Sequence, residues 1–246
     1  MKLFRADLHI HTTLSPCGDL DMHPARIVTR AAAMGLDIIG ITDHNTTRHC
    51  ELASKLAAEK GITVLLGAEV TTKEEVHCLV FFESTDALNI FQDYLDANLP
   101  WIMNDPAIFG HQVQCDGDER IVYEEPRLLL SALGRSLTEV TVEVRKLQGL
   151  VIPAHVDKMK NSIYSQLGFL PAGLDADALE VSARTDPEAF RIAHRETGSF
   201  SIISSGDAHY PDQIGSATTL FELGKPSFGE IAMALRRQNG RRVARG

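Results

Sequence analysis

The stretch Phe4-Arg5-Ala6-Asp7-Leu8-His9-Ile10-His11 decides the fold class, together with a second like it, Asp37-Ile38-Ile39-Gly40-Ile41-Thr42-Asp43-His44. Each is a short apolar run that ends in polar side chains able to bind metal. Short apolar runs rich in β-branched residues read as buried strands. Helical patterns follow at Pro24–Met34 and Thr46–Lys60, with Pro24 suited to a first helical turn and Gly35 and Gly61 just past the ends. Working outward, the spacing predicts strands at Ile62–Leu66, Val76–Phe82, Leu150–Ala154, Ala178–Val181, Phe200–Ser204 and, last, Ala217–Leu223. Helices are predicted near Ala87–Asn98, Ser136–Gly149, Asp186–Thr197 and Ser227–Gln238. Strands alternating with helices imply an α/β fold with a parallel sheet, best read at this length as a closed or distorted, TIM-barrel-like barrel. Residues 1–246 read as a single domain with an irregular excursion, Pro100 to about Gly134, over the barrel mouth.

The chain has 246 residues, 44% hydrophobic and 23% charged, and a net charge of -9. That is the composition of an ordinary globule. An acidic balance argues against a protein that coats nucleic acid, because phosphate binding needs a basic footprint. Long nucleic acid is therefore an unexpected partner, whereas a small phosphorylated substrate held by a metal is compatible. No apolar run approaches the ~18 residues that span a bilayer, so no membrane association is expected. The N-terminus does not read as a signal peptide. Cys17, Cys50, Cys78 and Cys115 are scattered and form no CxxC pair, which points to a cytoplasmic protein and not to a disulfide framework. Nothing in the sequence reports the oligomeric state.

Histidine is the unusual residue, with 10 in the chain. His9 and His11 end the first strand, and a spacing of two puts both on one face. Asp43 and His44 end the second strand, Glu69 follows the third, and His77 opens the next run. His155 follows Leu150–Ala154, and Asp207 and His209 follow Phe200–Ser204. Groups after the C-terminal strand ends of a parallel barrel converge on one mouth. Imidazoles and carboxylates crowded there need a counter-charge, which divalent metals supply. The donors exceed what one tetrahedral ion can use, so two or three divalent ions (Zn, Mn or Fe) are expected. His23, His49, His111 and His194 lie in helical or irregular stretches and read as surface or packing residues.

Five ordered motifs carry a resemblance. Asp7-Leu8-His9-Ile10-His11-Thr12, Ile41-Thr42-Asp43-His44-Asn45, Gly67-Ala68-Glu69-Val70, Pro153-Ala154-His155 and Gly206-Asp207-Ala208-His209 resemble the PHP (polymerase and histidinol phosphatase) family. The resemblance implies a distorted seven-stranded (β/α) barrel with a trinuclear metal site at its mouth. By motif, His9, His11, Glu69 and Asp207 resemble the ligands of one metal, and Glu69 bridges to a second held with His77 and His155. His44 and His209 resemble ligands of a third. The family pattern places one more ligand shortly after the HxH motif. Here that segment is Ser15-Pro16-Cys17-Gly18-Asp19, so Cys17 or Asp19 is the candidate, or the site is dinuclear.

The implied chemistry is a metal-dependent phosphoesterase in which metal-activated hydroxide attacks phosphorus. His209 and Asp43 are candidate proton donors to the leaving oxygen, alongside solvent. Lys158 and Arg184 are candidate phosphate-binding groups at the mouth. Arg236, Arg237, Arg241, Arg242 and Arg245 cluster near the C-terminus, where cations complement a helix dipole. No GxSxG elbow or P-loop is present. The leading expectation is hydrolysis of a phosphate ester of a small metabolite or nucleotide. A 5'-3' exonuclease on short oligonucleotides and a non-catalytic metal-binding module are the alternatives. Specificity is expected to reside in Pro100–Gly134 and His155–Asp177.

Overall fold

A computed structural model describes residues 1–244; Arg245 lies outside them. The chain begins with β1 (Lys2–Ile10), α1 (Pro24–Ala33), β2 (Ile38–Ile41), α2 (Cys50–Ala58), β3 (Thr63–Thr71), β4 (His77–Phe82) and α3 (Thr85–Asn98). The excursion holds α4 (Pro106–Phe109), β5 (Val113–Cys115) and β6 (Ile121–Glu124). Then come α5 (Leu137–Lys146), β7 (Leu150–Pro153), α6 (Ile163–Leu167), β8 (Ala178–Val181), α7 (Pro187–Ala193), β9 (Ser201–Ser204), β10 (Thr219–Leu223), α8 (Phe228–Leu235) and β11 (Arg242–Val243).

The apolar runs form strands because both of their faces are covered. Ile38, Leu65, Leu79, Phe81, Leu150 and Ile203 face an inner core closed by Ile231 and Leu235 of α8. Their neighbours Ile39, Leu66, Val80, Phe82, Val151 and Ile202 pack outward against the helices. This alternation is the strand period of two, used on both faces at once. A fully buried aromatic such as Phe81 contributes roughly 2–3 kcal/mol by leaving water.

The sheet is mixed, which corrects the expectation of a parallel one. Seven strands run in the order β11-β10-β1-β2-β3-β4-β7. β1, β2 and β3 are parallel, while β4 is antiparallel to both β3 and β7. The parallel pair β8–β9 closes the curl. Backbone bonds from Asp177 to Val151 and from Val156 to Glu180, each 2.8 Å, join β7 to β8. Beyond β9, Ala208 bonds His9 and His11 across β1. The result is an α/β, distorted TIM-barrel-like fold.

Other differences have local causes. The second helix starts at Cys50 and not at Thr46, because Thr46 and Thr47 donate to the Gln92 side chain. β3 runs on to Thr71 because β4 hairpins back onto it, pairing Thr71 with His77. Gly67 makes this pairing possible, since a Cβ there would fall 2.1 Å from the Val80 carbonyl oxygen. β10 is not the last strand, because β11 pairs with it. The excursion carries its own small elements and sits against the HxH loop, with Val113 and Thr13 exchanging two 2.8 Å hydrogen bonds. Among the described residues, no helix is long and apolar enough to cross a membrane.

Candidate metal centre

The strand directions bring the polar strand ends to one mouth. His9, His11, His44, His155, Asp207 and His209 arrive from strands that run toward it. His77 stands at the start of its strand, and only the antiparallel course of β4 brings it to the same end as Glu69.

Glu69 is the hub. Its Oε1 lies 2.9 Å from His77 Nδ1, 3.1 Å from His155 Nε2 and 3.3 Å from His9 Nε2. Its Oε2 lies 3.0 Å from His44 Nδ1 and 3.5 Å from His11 Nε2. Asp207 Oδ1 lies 3.3 Å from both His9 Nε2 and His11 Nε2. His209 stacks on His11 with ring centroids 4.0 Å apart. Three sets bring one ligand atom per residue within 4.8 Å of one another: His9, His11 and Glu69; His44, Glu69 and His77; and His11, His44 and His209.

A layer behind these residues fixes their orientation. Glu180 Oε2 accepts from His9 Nδ1–H at 2.9 Å and from the His155 amide at 3.0 Å. That bond turns His9 Nε2 toward the cluster. Ser15 Oγ donates to Asp43 at 2.7 Å and stands 2.9 Å from His11 Nδ1, so it accepts from that nitrogen and leaves His11 Nε2 facing the cluster. Asp7 accepts from the Gly206 and Gly215 amides at 2.9 and 2.8 Å and anchors the loop that carries Asp207 and His209. Burial pushes the Asp7 carboxyl up to about 6. Asn45, His155 and Asp207 have left-handed backbones, with φ of 49°, 29° and 49°. Such conformations cost roughly 1–3 kcal/mol each and persist only where the surroundings hold them.

The electrostatics ask for a cation. Burial disfavours charge on Glu69, yet His77, His9 and His44 hold its carboxyl well below the usual range. Burial likewise opposes a charged His9, but Glu180, Asp207 and Glu69 outweigh it and raise the imidazole well above its ordinary value. His11 moves the other way, driven down by burial and by His209 and His44. His155 Nδ1 and Glu180 Oε1 are buried without a hydrogen-bond partner. Aligned nitrogens and carboxylates that cannot satisfy one another are what divalent ions bind.

The structure separates the remaining candidates. Asp43 is buried behind the cluster, its two oxygens held by the Thr12 amide, the Thr12 hydroxyl and Ser15. These bonds tie it to the HxH loop. Cys17 is exposed at the rim and joins none of the three sets. Asp19 turns its carboxylate to the Asp21 amide at 2.8 Å. Lys158 pairs with Asp207 at the mouth, whereas Arg184 is exposed on the loop after β8. Arg236, Arg241 and Arg242 form ion pairs with Asp177, Glu230 and Glu222. His23 caps α1, His111 pairs with Glu124 and His194 stacks on Phe190. Sequence reasoning missed Glu180, Ser15 and His49. A carboxylate inside the apolar strand Ala178-Leu179-Glu180-Val181 was the available signal for the first.

A family model described as PHP domain matches residues 7–140, more than half of the chain. The chain belongs to the PHP family. A second model, described as PHP-associated, matches residues 189–239 of this PHP protein. The uncharacterized protein YqxK of Bacillus subtilis is 26% identical over an aligned length of 276, which covers 99% of this chain and 64% of that protein. A 5'-3' exoribonuclease of Haemophilus influenzae is 36% identical over 69 residues, 28% of this chain and 24% of that protein. The lesion-specific endonuclease Q of Pyrococcus furiosus shares the fold, with a TM-score of 0.74 at 21% identity over 98% of this chain and 58% of that one. The chain thus spans less than two thirds of the length of these relatives.

One expectation is overturned here. An endonuclease Q that aligns with 98% of this chain is seen in complex with a 27-mer duplex whose abasic lesion lies at the active site. A protein that shares this fold is therefore seen with long nucleic acid, so a net charge of -9 is no ground for calling such a partner unexpected. Net charge sums over the whole surface, whereas a phosphate meets only the local field.

Proposed function

We propose that this PHP chain hydrolyses phosphate esters with two or three divalent cations (zinc, manganese or iron) held at the barrel mouth, and that the ester belongs to a nucleotide or a nucleic acid. The carrying observation is the convergence of five imidazoles on the two oxygens of one buried carboxylate, Glu69. The donor set fits such ions, because soft-to-borderline imidazole nitrogens are combined with carboxylates able to bridge. His9, His11, Glu69 and Asp207 would hold one cation. Glu69, His77 and His155 would hold a second, and His44 and His209 a third.

When bound, such cations supply Lewis-acid chemistry, which deprotonates water near neutral pH and neutralises charge on a phosphoryl group. The chain's own groups orient and exclude. Glu180 and Ser15 keep the ligand nitrogens of His9 and His11 aimed inward. Asp43 and Asp7 keep the loops rigid, and burial of Glu69 removes competing water. His209 stands 3.0 Å from the Asp207 carbonyl through Nδ1, which must donate there, so its other nitrogen is left for a cation and solvent supplies the leaving-group proton. Lys158, paired with Asp207, is the cation we assign to a phosphoryl oxygen. The named activities of the exoribonuclease relative and of endonuclease Q support a nucleotide-bearing substrate.

The test is metal analysis with a substrate panel: p-nitrophenyl phosphate, mononucleotides, labelled single strands and a duplex with an abasic site. Activity should vanish on chelation and in His9→Ala. A folded, metal-loaded protein that turns over no member of the panel overturns the proposal.

A further inference from the structure

His49 is buried directly before α2, yet its side chain makes no helix cap. It faces the HxH loop instead. Its Nε2 accepts from the Cys115 amide of β5 at 2.9 Å. A backbone amide only donates, so Nε2 carries no proton and Nδ1 must carry one. Nδ1 stands 2.6 Å from Thr12 Oγ1 and therefore donates to it. The Leu14 amide donates to the same oxygen at 3.2 Å. The Thr12 hydroxyl, supplied twice, must donate onward, and it does so to Asp43 Oδ2 at 2.6 Å. Asp43 Oδ1 takes the Ser15 hydroxyl at 2.7 Å. Ser15 Oγ then accepts from His11 Nδ1–H, and also from the His44 amide at 3.2 Å. Both arms end on Asp43, which accepts from each: His49 and Thr12 hold one oxygen, and Ser15, in front of His11, holds the other.

We infer that His49 is a positioning residue that ties the excursion hairpin to the metal centre by holding Thr12 and, through it, the Asp43 carboxylate that fixes Ser15 against His11. The inference rests on the proposed centre. A second observation supports it: burial drives the His49 imidazole down to about 4, so the ring stays neutral and its two nitrogens keep opposite roles. The coupling works both ways. A cation on His11 stabilises the chain, and the chain in turn holds Cys115 and β5 against the HxH loop. A packing histidine would need neither the forced directions nor a carboxylate as their meeting point.

Two substitutions divide the role. In His49→Asn the amide nitrogen stands where Nδ1 stood, so the donor to Thr12 is kept and the acceptor for Cys115 is lost. In His49→Gln the amide reaches the Nε2 position, so the acceptor is kept and the donor is lost. Titration of Mn²⁺ or Zn²⁺ into chelator-stripped protein, with circular dichroism as the check on folding, should show His49→Gln weakened about 10–100-fold and His49→Asn near wild type. Hydrogen exchange at Cys115 should show the reverse order. In the metal-free protein, nitrogen NMR should find His11 as the Nδ1–H tautomer in wild type and a mixture in His49→Gln, where a displaced Asp43 no longer fixes Ser15. Equal cation affinity in all three proteins overturns the inference, as does a loss in His49→Asn as large as that in His49→Gln. Wild type that binds no cation sinks the proposed centre, and the His11 tautomer then decides the chain by itself.

Discussion

The buried His49 ring makes a quantitative prediction about acid stability. Its ordinary value is 6.5, and burial lowers it to about 4 in the folded chain, with His23 adding a smaller repulsion. The unfolded chain therefore binds a proton below pH 6.5 that the folded chain refuses until about pH 4. Stability rises with pH across that window, is complete above it, and is lost as the pH falls. At about 1.4 kcal/mol per pH unit, the loss amounts to about 3 kcal/mol. His49→Asn has no such proton. At pH 7.5 it should be less stable than wild type by about 1–3 kcal/mol, because the Cys115 amide loses its buried acceptor. The gap should then close as the pH falls, and the two curves should cross between about pH 6 and about pH 4. Urea denaturation at constant chelator, followed by circular dichroism from about pH 4 to about pH 7.5, measures this. Other groups, Asp7 among them, titrate in both proteins and cancel in the difference. Parallel curves across the range would refute the reasoning, because they would mean that the ring is not held neutral by its burial.

Two further outcomes follow from the same contacts. Glu180→Gln keeps an acceptor for His9 and His155 but removes the charge behind His9; cation affinity by calorimetry should fall about 10-fold, and an unchanged affinity would deny Glu180 its role. Gly67→Ala puts a Cβ 2.1 Å from the Val80 oxygen and 2.6 Å from the Phe81 ring. Prying β3 from β4 should cost about 3 kcal/mol in urea denaturation, and a loss below about 0.5 kcal/mol would show that the pairing yields freely.

Much of the centre was legible in the sequence. His9 and His11 stood out because a strand repeats every two residues, and Asp43-His44 and Asp207-Ala208-His209 because polar pairs abruptly end apolar runs. These are local signals. His77 was legible as a candidate, but the parallel sheet assumed for it would have sent it to the wrong end of the barrel. Only the antiparallel return of β4 brings it beside Glu69. Asp43 shared its motif with His44, yet the fold turns it inward to Thr12 and Ser15. His49 read as a surface or packing histidine, and no periodicity announces a ring that meets a backbone amide 66 positions away.

The sequence by itself determined the alternation of strands and helices and the chemical kind of the donors, because hydrophobic period and residue type are properties of short segments. The tertiary structure alone decided strand direction, which oxygen of Glu69 each imidazole meets, and which nitrogen of each ring carries a proton. Those depend on hydrogen bonds between residues far apart in the chain, and a directional bond has no partner until the chain has closed on itself.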